Sequence, residues 1–162
     1  MSCADVRKSE AAGSELMTTA EQLPVGKRVI LLVEDEPLVR KVTCEVLQSA
    51  GYSVLKAKNS AEAIRTFLQH GEEIDLLLTD VVMPGRSGRE LARELRAICS
   101  DLKTILTSGY PDSVEGDRSR EAGVFYLPKP YAVQSLIAKV REALEGELQL
   151  EVVLAKRAAG NG

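Results

Sequence analysis

What the sequence lacks already narrows its chemistry. Its 162 residues include three cysteines, Cys3, Cys44 and Cys99, with no CxxC pair among them, and one histidine, His70. A structural zinc centre of the Cys/His kind therefore runs short of ligands, and reduced thiols in a cytosolic protein are the simplest reading. No apolar run approaches the roughly 18–20 residues of a membrane helix, and residues 1–27 lack the apolar stretch of a secretory signal. A cytoplasmic protein with no membrane partner is expected. A surplus of positive charge is missing as well. The formal net charge is −3 at pH 7, which speaks against direct nucleic-acid binding through bulk electrostatics. Tryptophan is absent, and no internal repeat is visible. The remainder is ordinary for a soluble globular chain, 44% hydrophobic and 28% charged, enough for one domain with a real core and two loose ends.

What is present is an alternation of two periodicities. Arg28–Val33, Ser53–Ala57, Ile74–Thr79, Leu102–Thr107 and Gly123–Leu127 read as short apolar strands. Helical spacing runs from Pro37 to about Gly51, from Asn59 or Ser60 to His70, from Ser87 to Ile98, over Asp112–Ala122 and over Val133–Glu145. Pro37 stands in a first turn, where proline is tolerated. Gly51 suits a C-terminal cap, Ser87 an N-cap, and His70 a helix C-terminus rather than catalysis.

The expected inward faces are Leu38, Val39, Val42, Val46 and Leu47 in the first helix, and Ala61, Ile64, Phe67 and Leu68 in the second. The third turns Leu91, Ala92, Leu95 and Ile98 inward, and the last Val133, Leu136, Ile137, Val140 and Leu144. Asp112–Ala122 is the weakest helix, since it holds Gly116 and many charges. Five strand–helix units with short connections predict an α/β fold: a doubly wound five-stranded parallel sheet with right-handed crossovers and helices on both faces. That domain is placed at residues 27–146. Residues 1–26, polar and rich in small side chains, read as a flexible tail. Residues 147–162 read as a second tail or an extension of the last helix, because Leu148 and Val152 continue the spacing of Val140 and Leu144. This stripe is where contact with a second copy, a homodimer, or another partner is expected.

In open α/β sheets ligands bind beyond the C-terminal strand ends. Those ends supply Glu34 and Asp35 after the first strand, Asp80 after the third, Thr107 and Ser108 after the fourth, and Lys129 after the fifth. An Asp placed like Asp80, before a loop of Pro84 and Gly85, also serves as an ordinary turn residue. The company it keeps points elsewhere. Clustered carboxylates repel one another unless a hard cation sits among them, and Mg²⁺ takes oxygen ligands, commonly one or two carboxylates plus phosphate. Lys129 adds a point charge, and Ser108 or Thr107 a hydroxyl able to bond a phosphoryl oxygen. Aspartyl phosphate is a recognised covalent intermediate, and its formation needs the incoming charge neutralised by metal and cation.

The sequence resembles the receiver domain of two-component response regulators. Four motifs in order carry the resemblance: Leu32-Val33-Glu34-Asp35-Glu36-Pro37, Thr79-Asp80-Val81-Val82-Met83-Pro84, Leu106-Thr107-Ser108-Gly109-Tyr110 and Leu127-Pro128-Lys129-Pro130-Tyr131. It spans about residues 27–146 and implies the flavodoxin-like receiver fold. It further implies that Asp80 takes a phosphoryl group from a phosphohistidine on a sensor histidine kinase or a histidine phosphotransfer protein. Mg²⁺ would be the cofactor, held by Asp35, Asp80 and the backbone carbonyl of Val82, with Glu34 nearby or acting through water. Ser108 would be the switch hydroxyl, favoured over Thr107 because the small Gly109 follows it. Tyr126 would be the aromatic switch, Lys129 the cation that neutralises the incoming charge, and the Lys129–Pro130 bond cis. Output would pass through the face made by the fourth helix, fifth strand and fifth helix.

The resemblance carries further expectations. Beyond self-catalysed phosphotransfer and slow loss of the phosphoryl group, no enzymatic activity is implied. Val82 and Tyr110 stand where relatives tune that loss, and neither offers a carboxylate or amide to orient water. Glu34 replaces a more usual Asp, and Arg86 stands where an apolar residue is frequent. No output domain follows, so a stand-alone receiver, a relay carrier or a fragment is expected, and the Ser-Gly-Tyr and Leu-Pro-Lys-Pro variants resemble receivers of hybrid kinases. The alternative is a metal-dependent phosphatase that forms an aspartyl phosphate. It would want a second Asp just after the nucleophile, and two residues on stands Val82.

Overall fold

Five short runs rich in Val, Leu and Ile lie side by side as parallel strands. In the computed structural model, which describes residues 27–109 and 121–159, they are β1 (Val29–Val33), β2 (Ser53–Ala57), β3 (Ile74–Asp80), β4 (Lys103–Ser108) and β5 (Val124–Pro128). Their order across the sheet is β2-β1-β3-β4-β5. The helices are α1 (Pro37–Ser49), α2 (Ser60–His70), α3 (Gly88–Ile98) and α4 (Val133–Ala159). β1 is buried along its whole length, as a parallel strand covered on both faces must be.

Alternate strand residues point to opposite faces. Leu31, Val33, Leu77 and Leu106 join Phe67 of α2 and Leu91 and Leu95 of α3. Ile30, Leu32, Leu76, Leu78 and Ile105 join Leu47 of α1 and Leu136 and Val140 of α4. Burying one such side chain contributes about 1.5–3 kcal/mol. Truncating the fully buried Leu77 to alanine would cost about 2–5 kcal/mol. The strand ends are therefore held from both sides.

Local signals fix the helix ends. After α1, Tyr52 N–H donates to Leu47 O at 3.1 Å and Gly51 N–H to Gln48 O at 3.0 Å. Gly51 has φ +98°, the left-handed conformation that this double bond requires and that glycine adopts without a Cβ penalty. Asn59, not Ser60, caps α2, its side chain accepting from Glu62 N–H at 2.8 Å. Ser87 and Glu90 form a reciprocal capping box on α3.

Several expected faces differ. Leu38, Val42, Leu68 and Val133 are each more than half exposed, and Ala61 is exposed as well. Thr43 and Cys44 in α1 and Ala63 in α2 are buried instead. A helix presents one stripe to the sheet, and in α1 the stripe through Leu47 contains Thr43 and Cys44. Leu38 and Val42 lie on the far side of the helix, about 140–180° round the axis from Leu47. Apolar counting alone favours the wrong stripe when the true one carries a threonine.

Past Gly146 the chain continues as helix, so of the two forms weighed for this stretch the strand is not adopted. Cys44 is free and buried, and burial pushes its thiol up. Cys99 is disulfide-bonded, so the expectation of reduced thiols fails there. The N-terminal tail 1–26, Tyr110 and residues 112–120 of the expected fourth helix lie outside the described residues. Glu121 and Ala122, which close that span, are not helical. Among the described residues no helix is long and apolar enough to cross a membrane.

Candidate functional site

The chain order reverses between β1 and β3, with β2 on one side and β4 and β5 on the other. At such a point a crevice opens beyond the C-terminal strand ends. Glu34 follows β1 directly. Its N–H donates to Ala57 O at 3.1 Å, its carbonyl accepts from Arg40 Nη1 at 2.7 Å, and its Oε1 accepts from Glu36 N–H at 3.2 Å. Asp80 is the last residue of β3, and its Oδ1 accepts from Val82 N–H at 3.2 Å.

The loop that follows folds back tightly. Gly88 N–H donates to Val81 O at 3.0 Å. A Cβ at Gly88 would lie 2.0 Å from Asp80 O, so this close approach requires glycine. Lys129 leaves β5 through a cis bond to Pro130, as expected, and its backbone N–H donates to Ser108 O at 2.7 Å. The Lys129 ammonium lies 2.9 Å from Asp80 Oδ2 and 3.1 Å from Glu34 Oε2.

Glu34, Asp35 and Asp80 each offer a carboxylate oxygen, and the three oxygens lie within 4.8 Å of one another. Glu34 is only 5% exposed. That burial pushes its carboxyl above the ordinary value, against the pull of the Glu36 amide and the Lys129 charge. Burial also works against the Lys129 ammonium. The hydrogen bond that Lys129 donates to Asp80 and the charges of Glu34 and Asp80 together overcome it and leave Lys129 raised. Among the described residues the Lys129 ammonium pairs with Glu34 and Asp80, and Asp35 adds a third carboxylate to the cluster. An all-oxygen donor set with excess negative charge fits a hard divalent cation such as Mg²⁺.

Thr107 and Ser108 are both buried. Thr107 sits in register with Asp80, and Ser108 with Pro128. Strand alternation puts Ser108 on the same sheet face as Leu106 and Thr107 on the other. Tyr126, half-buried, packs against the cluster that contains Leu106. Ser108 and Tyr126 thus share a face, and Thr107 does not belong to it.

Every described site residue expected from the sequence lies at this one edge of the sheet or on the strand leading to it. Two residues were not legible as site elements. Gly88 makes room for the Asp80 backbone, and its only signal is a glycine opening a helix. Arg89, the next residue, donates from Nη1 to Tyr126 Oη at 3.5 Å, with its guanidinium carbon 5.5 Å from the ring centroid.

The chain is similar to known proteins in sequence and fold. The family model of the response regulator receiver domain matches residues 30–141. Sensor kinase CckA of Brucella abortus is 40% identical over 121 residues, which cover 74% of this chain but only 13% of the kinase. The response regulator receiver protein CpdR of the same organism is 37% identical over 121 residues, covering 71% of this chain and 95% of CpdR. Among solved structures, response regulator TrrA of Thermotoga maritima in complex with Mg²⁺-BeF is 37% identical with a TM-score of 0.64, and the match covers 72% of this chain and 99% of that one.

Proposed function

The chain belongs to the response regulator receiver family of two-component signalling, and we propose that Asp80 is its phosphoacceptor. The donor is a phosphohistidine on a sensor histidine kinase or a histidine phosphotransfer protein. The supporting observation is the Lys129 ammonium set between Asp80 and Glu34 in a cluster of three carboxylates.

An Asp80 carboxylate oxygen attacks phosphorus. The new O–P bond replaces the N–P bond, and the imidazole of the donor leaves. Asp35, Asp80 and the Val82 carbonyl would hold Mg²⁺, with Glu34 nearby or acting through water. When bound, the ion supplies neutralisation of the phosphoryl oxygens that the cluster by itself would repel. Lys129 shifts from its two carboxylate partners toward a phosphoryl oxygen. Val82 N–H keeps Asp80 oriented throughout.

The modified Asp80 then carries nearly two negative charges. Ser108 donates its hydroxyl to a phosphoryl oxygen, and Tyr126, on the same sheet face, follows. Output passes through the face that β5 and α4 share with the expected fourth helix. Turning a population from 1:99 to 99:1 takes about 5.5 kcal/mol of differential binding, a load that the phosphoryl contacts of Lys129, Ser108 and the backbone carry together. The working unit is residues 27–146, in the cytoplasm, and its only catalysis is on itself. The phosphatase alternative is disfavoured by Val82, an apolar and exposed side chain where an acid–base carboxyl is needed.

Acetyl phosphate with Mg²⁺, read by intact mass, tests the reading. The wild type gains one phosphoryl group, and Asp80→Ala gains none, nor does the wild type with chelator. A gain retained in Asp80→Ala would overturn the assignment.

A further inference from the structure

Arg89 is the second residue of α3. It directly follows Gly88, whose backbone is pressed against the Asp80 carbonyl and bonded to Val81 O at 3.0 Å. From this first turn the guanidinium crosses to β5. It meets Tyr126 twice, at the hydroxyl at 3.5 Å and near the ring, 5.5 Å from the centroid. The second distance falls within the ~6 Å over which a cation is attracted to an aromatic face. The first is at the long limit of a hydrogen bond and is weak by itself. Together they engage both the hydroxyl and the face of the ring.

The ring also borders open space. A groove of about 270 Å³ runs beside it, lined in part by Ala92, Leu106 and Val124. Tyr126 therefore has somewhere to go, and close packing alone does not hold it. What grips it is a side chain anchored one residue from the Asp80 loop.

We infer that Arg89 is a positioning residue that holds Tyr126 in its resting place and ties that place to the backbone around Asp80. The inference rests on the proposed roles of Asp80 and Tyr126. It adds a second route between them, through the β3–α3 loop, beside the route through Ser108 on β4. A rearrangement of the loop at Asp80 moves the first turn of α3, and the guanidinium with it. Contacts made only in the resting state oppose the switch by their own strength, and a ligand that favours the switched state binds more tightly once they are gone. For a cation–aromatic contact at a half-exposed site the factor is about two- to fivefold.

The test uses the full chain with ¹⁹F-labelled tyrosine, the Tyr126 signal being assigned by its loss in Tyr126→Phe. Beryllofluoride with Mg²⁺ serves as the phosphoryl mimic. In the wild type the Tyr126 signal should move on saturation. In Arg89→Met, which keeps an unbranched stem but neither the guanidinium nor its charge, the resting signal should already lie part-way to that position, and beryllofluoride affinity should rise about two- to fivefold. Arg89→Lys, which keeps the charge and loses the planar fork, should fall between the two and guards against a folding defect in the methionine variant. If the wild-type signal moves and both variants match it in resting position and affinity, Arg89 has no positioning role. If the wild-type signal does not move at saturation, the switch role of Tyr126 falls, and this inference with it.

Discussion

The Lys129 ammonium lies 2.9 Å from Asp80 Oδ2 and 3.1 Å from Glu34 Oε2, so one cation after β5 ties together the ends of β1 and β3. Removing it should expose two carboxylates to each other. Lys129→Met is expected to lose about 1–3 kcal/mol in metal-free buffer at neutral pH, less than a fully buried pair because the Lys129 side chain is 26% exposed. Mg²⁺ should then raise its thermal midpoint by more than it raises that of the wild type, while phosphoryl acceptance stays impaired. Equal Mg²⁺-induced shifts in the two proteins would show that Lys129 does not neutralise the cluster.

Glu34 gives a pH signature. Burial sets its carboxyl above the ordinary value of 4.5, so the folded state holds that proton more tightly than the unfolded chain does. The stability this contributes is complete below the ordinary value and fades as pH rises through the raised one. Glu34→Gln keeps the shape and cannot ionise. In metal-free buffer its thermal midpoint should exceed that of the wild type increasingly between pH 4.5 and neutrality, and its Mg²⁺ response should weaken. A gap between the two proteins that stays constant over that interval would contradict the account.

Gly88 should tolerate no side chain. A Cβ there would meet Asp80 O at 2.0 Å and Asp80 C at 2.9 Å, both backbone atoms that cannot swing away. Gly88→Ala is expected to cost about 1–3 kcal/mol, measured by urea unfolding, and to slow phosphoryl acceptance by displacing Asp80. A variant of wild-type stability and rate would mean that the loop does not close this tightly.

The phosphoryl group should persist for minutes rather than seconds once transferred. Val82 leaves the site toward solvent with an exposed apolar side chain, which cannot orient an attacking water. Val82→Asn supplies an amide at the same place and should hasten loss several-fold, followed by intact mass after donor removal. Equal lifetimes in the two proteins would remove Val82 from the determinants of persistence.

The sheet and the acidic edge were legible from the sequence because each rests on a short-range pattern. Apolar runs such as Leu76-Leu77-Leu78 announce buried strands, and parallel strands necessarily bring their C-terminal ends to one side, so Glu34, Asp80 and Lys129 could be placed together. The orientation of α1 was not legible. Leu38 and Val42 are apolar yet lie on the far side of the helix from the buried Leu47, and packing against the sheet decides which side turns inward. Arg89 was hidden for another reason. Its contact is with a residue 37 positions away, and it depends on the distance between a helix start and a strand two elements later. No local spacing encodes that.

α4 begins at Val133, a few residues after Lys129, and runs for 27 residues. Such a rod is about 40 Å long. A pivot of about 5° at its first turn would carry its far end sideways by about 3.5 Å, by simple geometry on that length. Adjustments too small to notice beside the carboxylates thus become, at Ala159, displacements as wide as a methyl group: the helix is a lever whose short arm rests on the chemistry.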